Sequence, residues 1–284
     1  MANDSPRRRR DHKGSARRAQ ILRMLQEDPS ADLSVEEIAQ SFGVSFATVR
    51  RDLTRLREQE GVARTYGGIA LIQPAEVPTR ERRTTFRRAK EAIGRQAEGL
   101  VGEGELLILD AGSTTSCLAE RLVSHSDLTV VTNGIGVVNA LIDAEDVELI
   151  VLGGRLRAIN ETISGGAAEE MLRHVRAATA FMGTDTIDPE AGLACRTLEQ
   201  SRLKSLMLRS AERVVVLADS SKLDGDGGFS YWSALDRPWE LVTDSGASPA
   251  QLERMQRAGA TQIHVAPDVD ADVWTDHTSR LEIS

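Results

Sequence analysis

The sequence predicts an α/β protein in which a small helical domain precedes a larger, doubly wound, mostly parallel sheet domain. Near the N-terminus, two amphipathic helical patterns are separated by Gly43. From residue 88 onward, short apolar runs alternate with helical patterns, as expected for a parallel sheet covered by helices. The 284 residues, of which 40% are hydrophobic, suffice for two separate cores.

Charge is distributed unevenly along the chain. Residues 1–90 hold 19 Lys and Arg against 12 Asp and Glu, whereas residues 91–284 hold 16 against 31. The basic N-terminal part therefore predicts an anionic partner. No run approaches the roughly 20 apolar residues of a membrane span, and the Arg-rich start lacks the apolar segment of a signal peptide. We expect a cytoplasmic protein that makes no membrane contact.

Cysteines and histidines are too few and too scattered to predict a metal or redox centre. Cys117 and Cys195 are far apart in the chain, and the five histidines show no ligand spacing. We expect both thiols to be reduced packing residues. The sequence predicts no metal site, no cofactor and no catalytic nucleophile.

The first helical pattern begins at a capping box. Ser34 is followed three positions later by Glu37, a pair in which each side chain can bond the other residue's backbone N–H. Gly43 then breaks the helix, and Ser45 restarts the chain as an N-cap with Thr48 at the third helical position. Two short helices around such a turn are typical of a helix-turn-helix, which binds in the DNA major groove.

The second helical pattern separates a buried face from an exposed one. Val49, Leu53 and Leu56 form an apolar stripe, which leaves the start of the helix exposed. In a helix-turn-helix, this N-terminal end reads base edges. The alternative is a small helical bundle with a Gly-centred turn and no DNA contact. The predicted DNA-binding residues in and beside this helix are Ser45, Phe46, Thr48, Arg50 and Arg51.

Flanking segments extend the predicted DNA-binding domain to 16–72. Residues 18–28 have the apolar spacing of a third helix. Residues 61–71 alternate small and branched side chains around Gly67-Gly68 and predict a wing, a two-stranded β-ribbon. From this wing Arg64 can contact phosphates, so we include it among the predicted DNA-binding residues.

Two segments of low hydrophobicity border this domain. Residues 1–15 predict a disordered tail with a basic run at 7–10, which is either solvated or in contact with DNA. Residues 73–87 contain two prolines and a cluster of arginines, and they predict a linker. The remaining residues, 88–284, are predicted to form the sheet domain.

The sheet domain alternates strands and helices. It opens with a predicted helix at 88–101, where apolar residues recur at helical spacing. Seven short apolar runs predict buried strands at 106–109, 128–131, 147–152, 178–182, 214–218, 241–242 and 263–266. Further helical patterns lie between them at 116–123, 135–143, 166–174, 198–211 and 249–258. In an open sheet of this kind, ligands bind at the carboxyl ends of the strands.

Several of those strand ends are polar. The first strand leads into Asp110-Ala111-Gly112-Ser113-Thr114-Thr115, a loop whose backbone N–H groups and hydroxyls can cradle a phosphate where a helix begins. After the third strand, Arg155 can add a forked contact to an anion. We therefore predict a site for a phosphorylated small molecule. Alternatively, these glycines and serines are turn formers, and Glu199 and Lys204 belong to a solvated helix face.

Seven motifs resemble those of the DeoR family of bacterial transcriptional regulators, in the family's order: VSFATVRRDLTRL, RTYGG, LDAGSTT, VTNG, LGGRLR, FMGTD and LADSSK. The resemblance covers almost the whole chain. It implies a winged helix-turn-helix domain that binds operator DNA, mostly as a repressor. It also implies a sensor domain that is similar in fold to ribose-5-phosphate isomerase and binds a phosphorylated sugar.

The resemblance also implies ligand-binding residues. The phosphate loop falls on Gly112, Ser113, Thr114 and Thr115. The sugar side would be lined by Asp110, Asn133, Arg155, Asp185, Glu199, Lys204, Asp219 and Lys222. Two departures flank this pocket: Thr186 stands where the family often has glycine, and no threonine soon follows Gly192. Both departures leave the phosphate loop intact.

A sugar-phosphate isomerase with an appended DNA-binding domain is the first rival function. Such an enzyme needs a general base beside the substrate carbon and a cation at its carbonyl. The candidates are Asp185, Glu199 and Lys204. Against this function, Met182 and Gly183 stand where the isomerases have a carboxylate before a glycine.

A nicotinamide-dependent protein is the second rival. Gly134-Ile135-Gly136 follows a predicted strand as in a dinucleotide fingerprint, but Asn139 stands at the third glycine position. Under the DNA-binding interpretation we expect a homodimer or homotetramer, because one winged domain makes a small DNA interface and such proteins commonly pair on symmetric half-sites.

Overall fold

The structure, a computed structural model, describes residues 17–18, 20–21, 24, 33–59, 62–64, 68–71, 76–225 and 228–268. The predicted tail at 1–15, with its basic run, lies outside these residues. No helix of the described segments is long and apolar enough to cross a membrane.

The helix-turn-helix consists of α1 (Val35–Phe42) and α2 (Phe46–Gln59). The predicted capping box is confirmed: the N–H of Glu37 donates to Ser34 Oγ over 3.1 Å, and the N–H of Ser34 donates to the Glu37 carboxylate over 2.9 Å. Gly43 ends α1 in the left-handed region at φ 59°, where a side chain would be strained. Ser45 then accepts the N–H of Thr48 over 3.3 Å.

Apolar side chains from both helices form a small core. Val49 and Leu56 are buried against Ile38, and Leu53 packs at the edge, as the spacing predicted. Ile21 is fully buried in the same core and has helical conformation. Much of the predicted helix at 18–28 lies outside the described residues. Asp52 is buried and paired with Arg17 and Arg18, and these pairs attach the preceding segment to α2.

The predicted wing is present as backbone. Strands β1 (Leu33–Ser34), β2 (Val62–Arg64) and β3 (Gly68–Leu71) form an antiparallel sheet in the order β1-β3-β2. The two-residue strand β1 was not predicted, because two residues carry no periodicity. The turn at 65–67 and the side chain of Arg64 lie outside the described part of the chain.

All seven predicted strands of the sheet domain belong to one parallel sheet. They are β4 (Leu106–Leu109), β5 (Leu128–Thr132), β6 (Val147–Val151), β9 (Ala177–Met182), β12 (Ala211–Leu217), β14 (Trp239–Asp244) and β15 (Ala260–Ala266). Their order is β15-β14-β12-β9-β4-β5-β6. The chain thus winds outward from β4 in one direction and from β9 in the other. The crevice at this reversal is where open α/β sheets bind ligands.

Helices cover both faces of this sheet. They are α4 (Arg87–Glu98), α5 (Ser113–Leu122), α6 (Ile135–Leu141), α7 (Gly166–Arg173), α8 (Leu198–Arg209) and α9 (Pro249–Arg257). Side chains of α4, α5 and α6 pack in one core, and those of α7, α8 and α9 pack in another. Alternate residues of β4 enter the two cores: Leu107 and Leu109 enter the first, and Ile108 enters the second. The doubly wound prediction is confirmed.

Short elements were missed from the sequence. A hairpin pairs β7 (Arg155–Arg157) with β8 (Thr162–Ser164), and a small sheet contains β10 (Ile187–Asp188), β11 (Gly192–Cys195) and β13 (Tyr231–Ser233). Each strand has only two to four residues. Such lengths are too short for an apolar pattern to distinguish them from loops.

The predicted linker at 73–87 needs a correction. It contains the helix α3 (Thr79–Thr84), which begins after Pro78, and α4 starts at its end. This stretch has no apolar stripe, so periodicity could not reveal a helix. Its attachment to the sheet domain is polar instead, since the Arg82 guanidinium forms an ion pair with Asp185 over 2.7 Å.

Candidate functional site

The start of α2 presents an exposed surface of mixed character. Phe46 is 53% exposed, and Ala47, Arg50 and Arg51 are also exposed, while Thr48 is half-buried. These side chains point outward because Val49 and Leu56 occupy the buried face of α2. Arginine can bond a guanine edge, and an apolar ring can contact a thymine methyl group. The surface therefore has the chemistry to read base edges.

We expect that Arg51→Ala weakens binding to the protein's DNA target by about 1–3 kcal/mol and relaxes specificity at one base pair, if Arg51 contacts a base. The target is the duplex that the wild-type protein selects from a randomised pool, and affinity is measured by fluorescence anisotropy. Arg176→Ala serves as control, because Arg176 is an exposed arginine of the sheet domain. Unchanged binding isotherms for both Arg50→Ala and Arg51→Ala would show that α2 does not bind in the major groove.

A cavity of about 230 Å³ lies at the point where the strand order reverses. Its walls include the loops that follow the adjacent strands β12, β9, β4 and β5. Predicted residues that line it are Asp110, Gly112, Ser113, Thr114, Asn133, Asp185, Lys204, Asp219 and Lys222. Residues that line it and were not predicted include Glu76, Arg82, Lys90, Asn160, Thr162, Cys195, Arg196 and Gln200.

The loop after β4 presents the start of α5 to this cavity. No side chain caps α5 at Gly112, so its first N–H groups are oriented for an external acceptor. The side chains of Ser113 and Thr114 also line the cavity. Thr115 does not: it is fully buried, and its hydroxyl donates to Gly112 O over 2.9 Å. The side chain of Thr115 therefore stabilises the loop, which corrects its predicted contact with a ligand.

Asp110 and Lys204 join the loops after β4 and β9. The Asp110 carboxylate accepts the N–H of Ala111 over 2.9 Å and that of Gly183 over 3.2 Å, and it is paired with the Lys204 ammonium. Lys204 also donates to Gly183 O over 2.6 Å. Burial acts to lower the pKa of Lys204, but Asp110, together with Cys195 and Asp185, outweighs it and holds this pKa above its ordinary value. Lys204 therefore stays charged and bound to Asp110.

The loop after β5 makes a close approach to the loop after β4. Asn133 is buried and its Oδ1 accepts the N–H of Ala111 over 2.9 Å. A Cβ at Gly134 would lie 2.8 Å from Ala111 Cα, so only glycine allows the two loops to meet. Gly136 likewise lies against Ser116, whose Oγ would be 2.3 Å from an added Cβ. Close packing against backbone thus accounts for Gly134, the first glycine of the partial dinucleotide fingerprint, whereas Gly136 faces the ends of the Ser116 and Arg83 side chains.

Asp185 lies between two guanidinium groups. Arg82 contacts one carboxylate oxygen over 2.7 Å, and Arg196 contacts the other over 3.2 Å. The guanidinium of Arg196 also stacks 4.4 Å from the centre of the Phe229 ring. Neither arginine was predicted as a site residue, because each reaches Asp185 only through tertiary folding.

Two further lysines differ in their surroundings. Lys90 is buried, donates to Arg82 O over 3.0 Å and lies 3.9 Å from the Asp219 carboxylate. Burial lowers the pKa of Lys90, and Asp219 opposes this shift. Lys222 lines the cavity and forms no ion pair with the described residues. The Lys222 ammonium is therefore available to pair with an anionic ligand.

Arg155 and Glu199 lie outside the cavity, contrary to prediction. They form a surface ion pair over 2.7 Å, with side chains 76% and 46% exposed. Glu199 and Lys204 are five residues apart on α8, and a helix of 3.6 residues per turn directs such side chains roughly 140° apart. Lys204 therefore faces the cavity while Glu199 faces solvent.

Burial raises the pKa of the Cys195 thiol, so this cavity residue lacks the thiolate of a nucleophile.

Comparison with known proteins agrees with this architecture. Residues 17–75 match the DeoR-like helix-turn-helix domain, and residues 85–245 match the DeoR C terminal sensor domain. The chain belongs to the DeoR family. It is therefore a DNA-binding transcriptional regulator with a C-terminal sensor domain.

Similar proteins include two repressors. The glycerol-3-phosphate regulon repressor of Shigella flexneri is 33% identical over 252 residues, which cover 88% of this chain and 92% of that protein. The repressor GlcR of Bacillus subtilis is 32% identical over 242 residues, which cover 84% and 93%. Among solved structures, the sorbitol operon regulator SorC from Klebsiella pneumoniae matches 83% of this DeoR-family chain and 99% of that chain, at 14% identity and a TM-score of 0.36. Ribose 5 phosphate isomerase A from Neisseria gonorrhoeae matches 51% and 54%, at 18% identity and a TM-score of 0.35.

Proposed function

We propose that this DeoR-family regulator represses carbohydrate-metabolism genes in the cytoplasm and that a phosphorylated sugar in the cavity controls its binding to operator DNA. The observation that carries the proposal is the uncapped start of α5 beside the hydroxyls of Ser113 and Thr114, in a cavity that also contains Lys222. N–H groups at a helix N-terminus and a nearby ammonium together suit a phosphate.

The other polar groups that line the cavity suit the hydroxyl groups of a sugar. Asn133 and Asn160 offer amide groups for sugar hydroxyls. Asn160 is buried and its Oδ1 has no hydrogen-bond partner among the described residues, so it can accept from a ligand hydroxyl. A cavity of about 230 Å³ limits the ligand to a small molecule. The printed name of the glycerol-3-phosphate regulon repressor is consistent with this ligand class.

The same contacts favour a sensor over an isomerase. Asp185 is held by Arg82 and Arg196, and Lys204 is held by Asp110. Glu199 faces solvent. A general base needs a free lone pair near the substrate, so these three candidates are poorly placed for catalysis. We expect no isomerisation of ribose phosphate above the buffer rate in a coupled assay.

We also propose that the protein acts as a homodimer or homotetramer, as symmetric half-sites require two reading helices. Sedimentation of the protein alone and with its DNA target tests this. A monomer under both conditions at micromolar concentration would contradict it.

A ligand screen tests the proposed function directly. Thermal unfolding of the full chain is followed with the monophosphates of glycerol, ribose and glucose, with the unphosphorylated compounds, and with inorganic phosphate. We expect at least one sugar phosphate to raise Tm more than its unphosphorylated counterpart, because binding to the folded state alone stabilises it. The same compound should weaken binding to the DNA target. Stabilisation by none of the phosphates would argue against this pocket, and tighter DNA binding would make the ligand a co-repressor.

A further inference from the structure

One wall of the cavity is built from the segment that directly follows the DNA-binding domain. Within residues 76–90, the side chains that line the cavity are Glu76, Val77, Arg82, Thr85, Phe86 and Lys90. The remaining walls come from the sheet domain, where they include strand-end loops, the start of α5, the region of the β7–β8 hairpin and part of α8. A ligand in this cavity would therefore touch the chain that leads to the DNA-binding domain, as well as the sensor sheet.

Polar contacts attach this segment to the hairpin region of the sensor domain. Glu76 pairs with Arg157 over 2.5 Å, and Arg83 pairs with Glu161 over 2.8 Å. The N–H of Thr79 donates to the carbonyl oxygen of Ile159 over 2.9 Å. The two large apolar side chains of the segment, Val77 and Phe86, are 44% and 54% exposed. Two ion pairs and a backbone hydrogen bond therefore hold the segment against the hairpin region.

In this wall, the side chain of Arg82 has a hydrogen-bond donor that is not satisfied by the described residues. Its Nη1 donates to Asp185 over 2.7 Å, and its Nη2 donates to Thr79 Oγ1 over 3.0 Å. Its Nε is buried and has no acceptor among the described residues. A buried donor without an acceptor is costly, so the Nε of Arg82 is a candidate donor to an oxygen of a bound molecule.

We infer that Arg82 is a ligand-binding residue whose Nε donates to an oxygen of the phosphorylated ligand, so that the segment 76–90 itself detects occupancy of the cavity. This inference rests on the proposed function and adds the segment through which ligand binding would affect the DNA-binding domain. The backbone carbonyl of Arg82 accepts the Lys90 ammonium, so a ligand bond to Arg82 also fixes the start of α4. Occupancy then changes the freedom of the chain between the two domains, and with it the fit to DNA.

Hydrogen exchange with inorganic phosphate as the probe tests this inference in the full chain. Chloride at equal ionic strength is the control for general screening. In the wild type, phosphate should protect amides at 113–116, the phosphate loop, and also amides at 79–90. In Arg82→Gln, phosphate affinity should fall about tenfold or more, as for loss of one charge-assisted hydrogen bond. At saturating phosphate, protection at 79–90 should be lost while protection at 113–116 persists.

The neighbouring Arg83→Gln is the matched control. Arg83 has the same charge on the same helix, but it pairs with Glu161 at the surface and does not line the cavity. Its phosphate affinity should stay within about twofold of wild type, as expected for an exposed ion pair. Should Arg82→Gln fail to fold, Arg82→Lys retains a cation for Asp185 but lacks the Nε donor, and it should show the same loss.

Two results would overturn the inference in distinguishable ways. The first result is protection at 113–116 without any change at 79–90, or equal phosphate affinity in the variants of Arg82 and Arg83. Either outcome would show that Arg82 does not bind the ligand, and the proposed pocket would be unaffected. Absence of phosphate protection at both segments would remove the pocket and this inference together.

Discussion

Lys204→Ala is expected to lower the free energy of unfolding of the sensor domain by about 3–5 kcal/mol, the usual cost of removing one partner of a buried ion pair. Asp110 is only 4% exposed, so its carboxyl group would be left buried without the ammonium that now faces it. Gly183 O would lose a donor as well. Urea denaturation followed by circular dichroism measures the change.

Lys222→Ala is the matched control for this prediction. Lys222 also lines the cavity, but it forms no ion pair with the described residues, so its removal should change stability by less than about 0.5 kcal/mol. Adding Asp110→Asn to Lys204→Ala should recover much of the lost stability, because the remaining buried group is then neutral. Equal stability of Lys204→Ala and Lys222→Ala would show that the buried pair does not hold the two loops together.

Ser113→Asp is expected to abolish the response to the phosphorylated ligand. The new carboxylate would lie at the start of α5, where the ligand phosphate is proposed to bind, and like charges in contact cost several kcal/mol. Ligand affinity should therefore fall about a hundredfold or more. The domain should remain folded, because a negative side chain at a helix N-terminus is itself favourable.

The consequence for regulation follows from the size of the required shift. Moving a two-state equilibrium from about 1:99 to 99:1 takes roughly 5.5 kcal/mol of preferential binding, so loss of the phosphate contact removes a large share of it. A promoter fusion should stay silent under inducing conditions in Ser113→Asp, while DNA affinity without ligand stays near wild type. Ser126→Asp, the same exchange on the exposed loop after α5, should respond normally. Normal induction in Ser113→Asp would show that the start of α5 is not the ligand-sensing site.

Local patterns sufficed to predict most of the fold. The capping box at Ser34 and the break at Gly43 involve residues within one helical turn, so the sequence alone determines them. The buried strands are continuous apolar runs because both faces of a parallel sheet are covered. The alternation of these runs with helical patterns predicted the doubly wound sheet and the edge at which it binds a ligand. Asp110 and Ser113 were placed at that edge because they come directly after a strand.

Side-chain direction and long-range partners were decided only by the tertiary structure. Glu199 and Thr115 were both predicted to bind the ligand, but Glu199 faces solvent and Thr115 bonds its own loop. Arg82 was assigned to a linker, because the ion pair with Asp185 spans 103 positions and leaves no local pattern. The sequence by itself therefore determined the longer helices, the seven strands of the parallel sheet and the edge at which its polar strand ends lie, since those depend on local periodicity. The tertiary structure decided which charged side chains reach the cavity, because each such contact depends on residues far away in the chain.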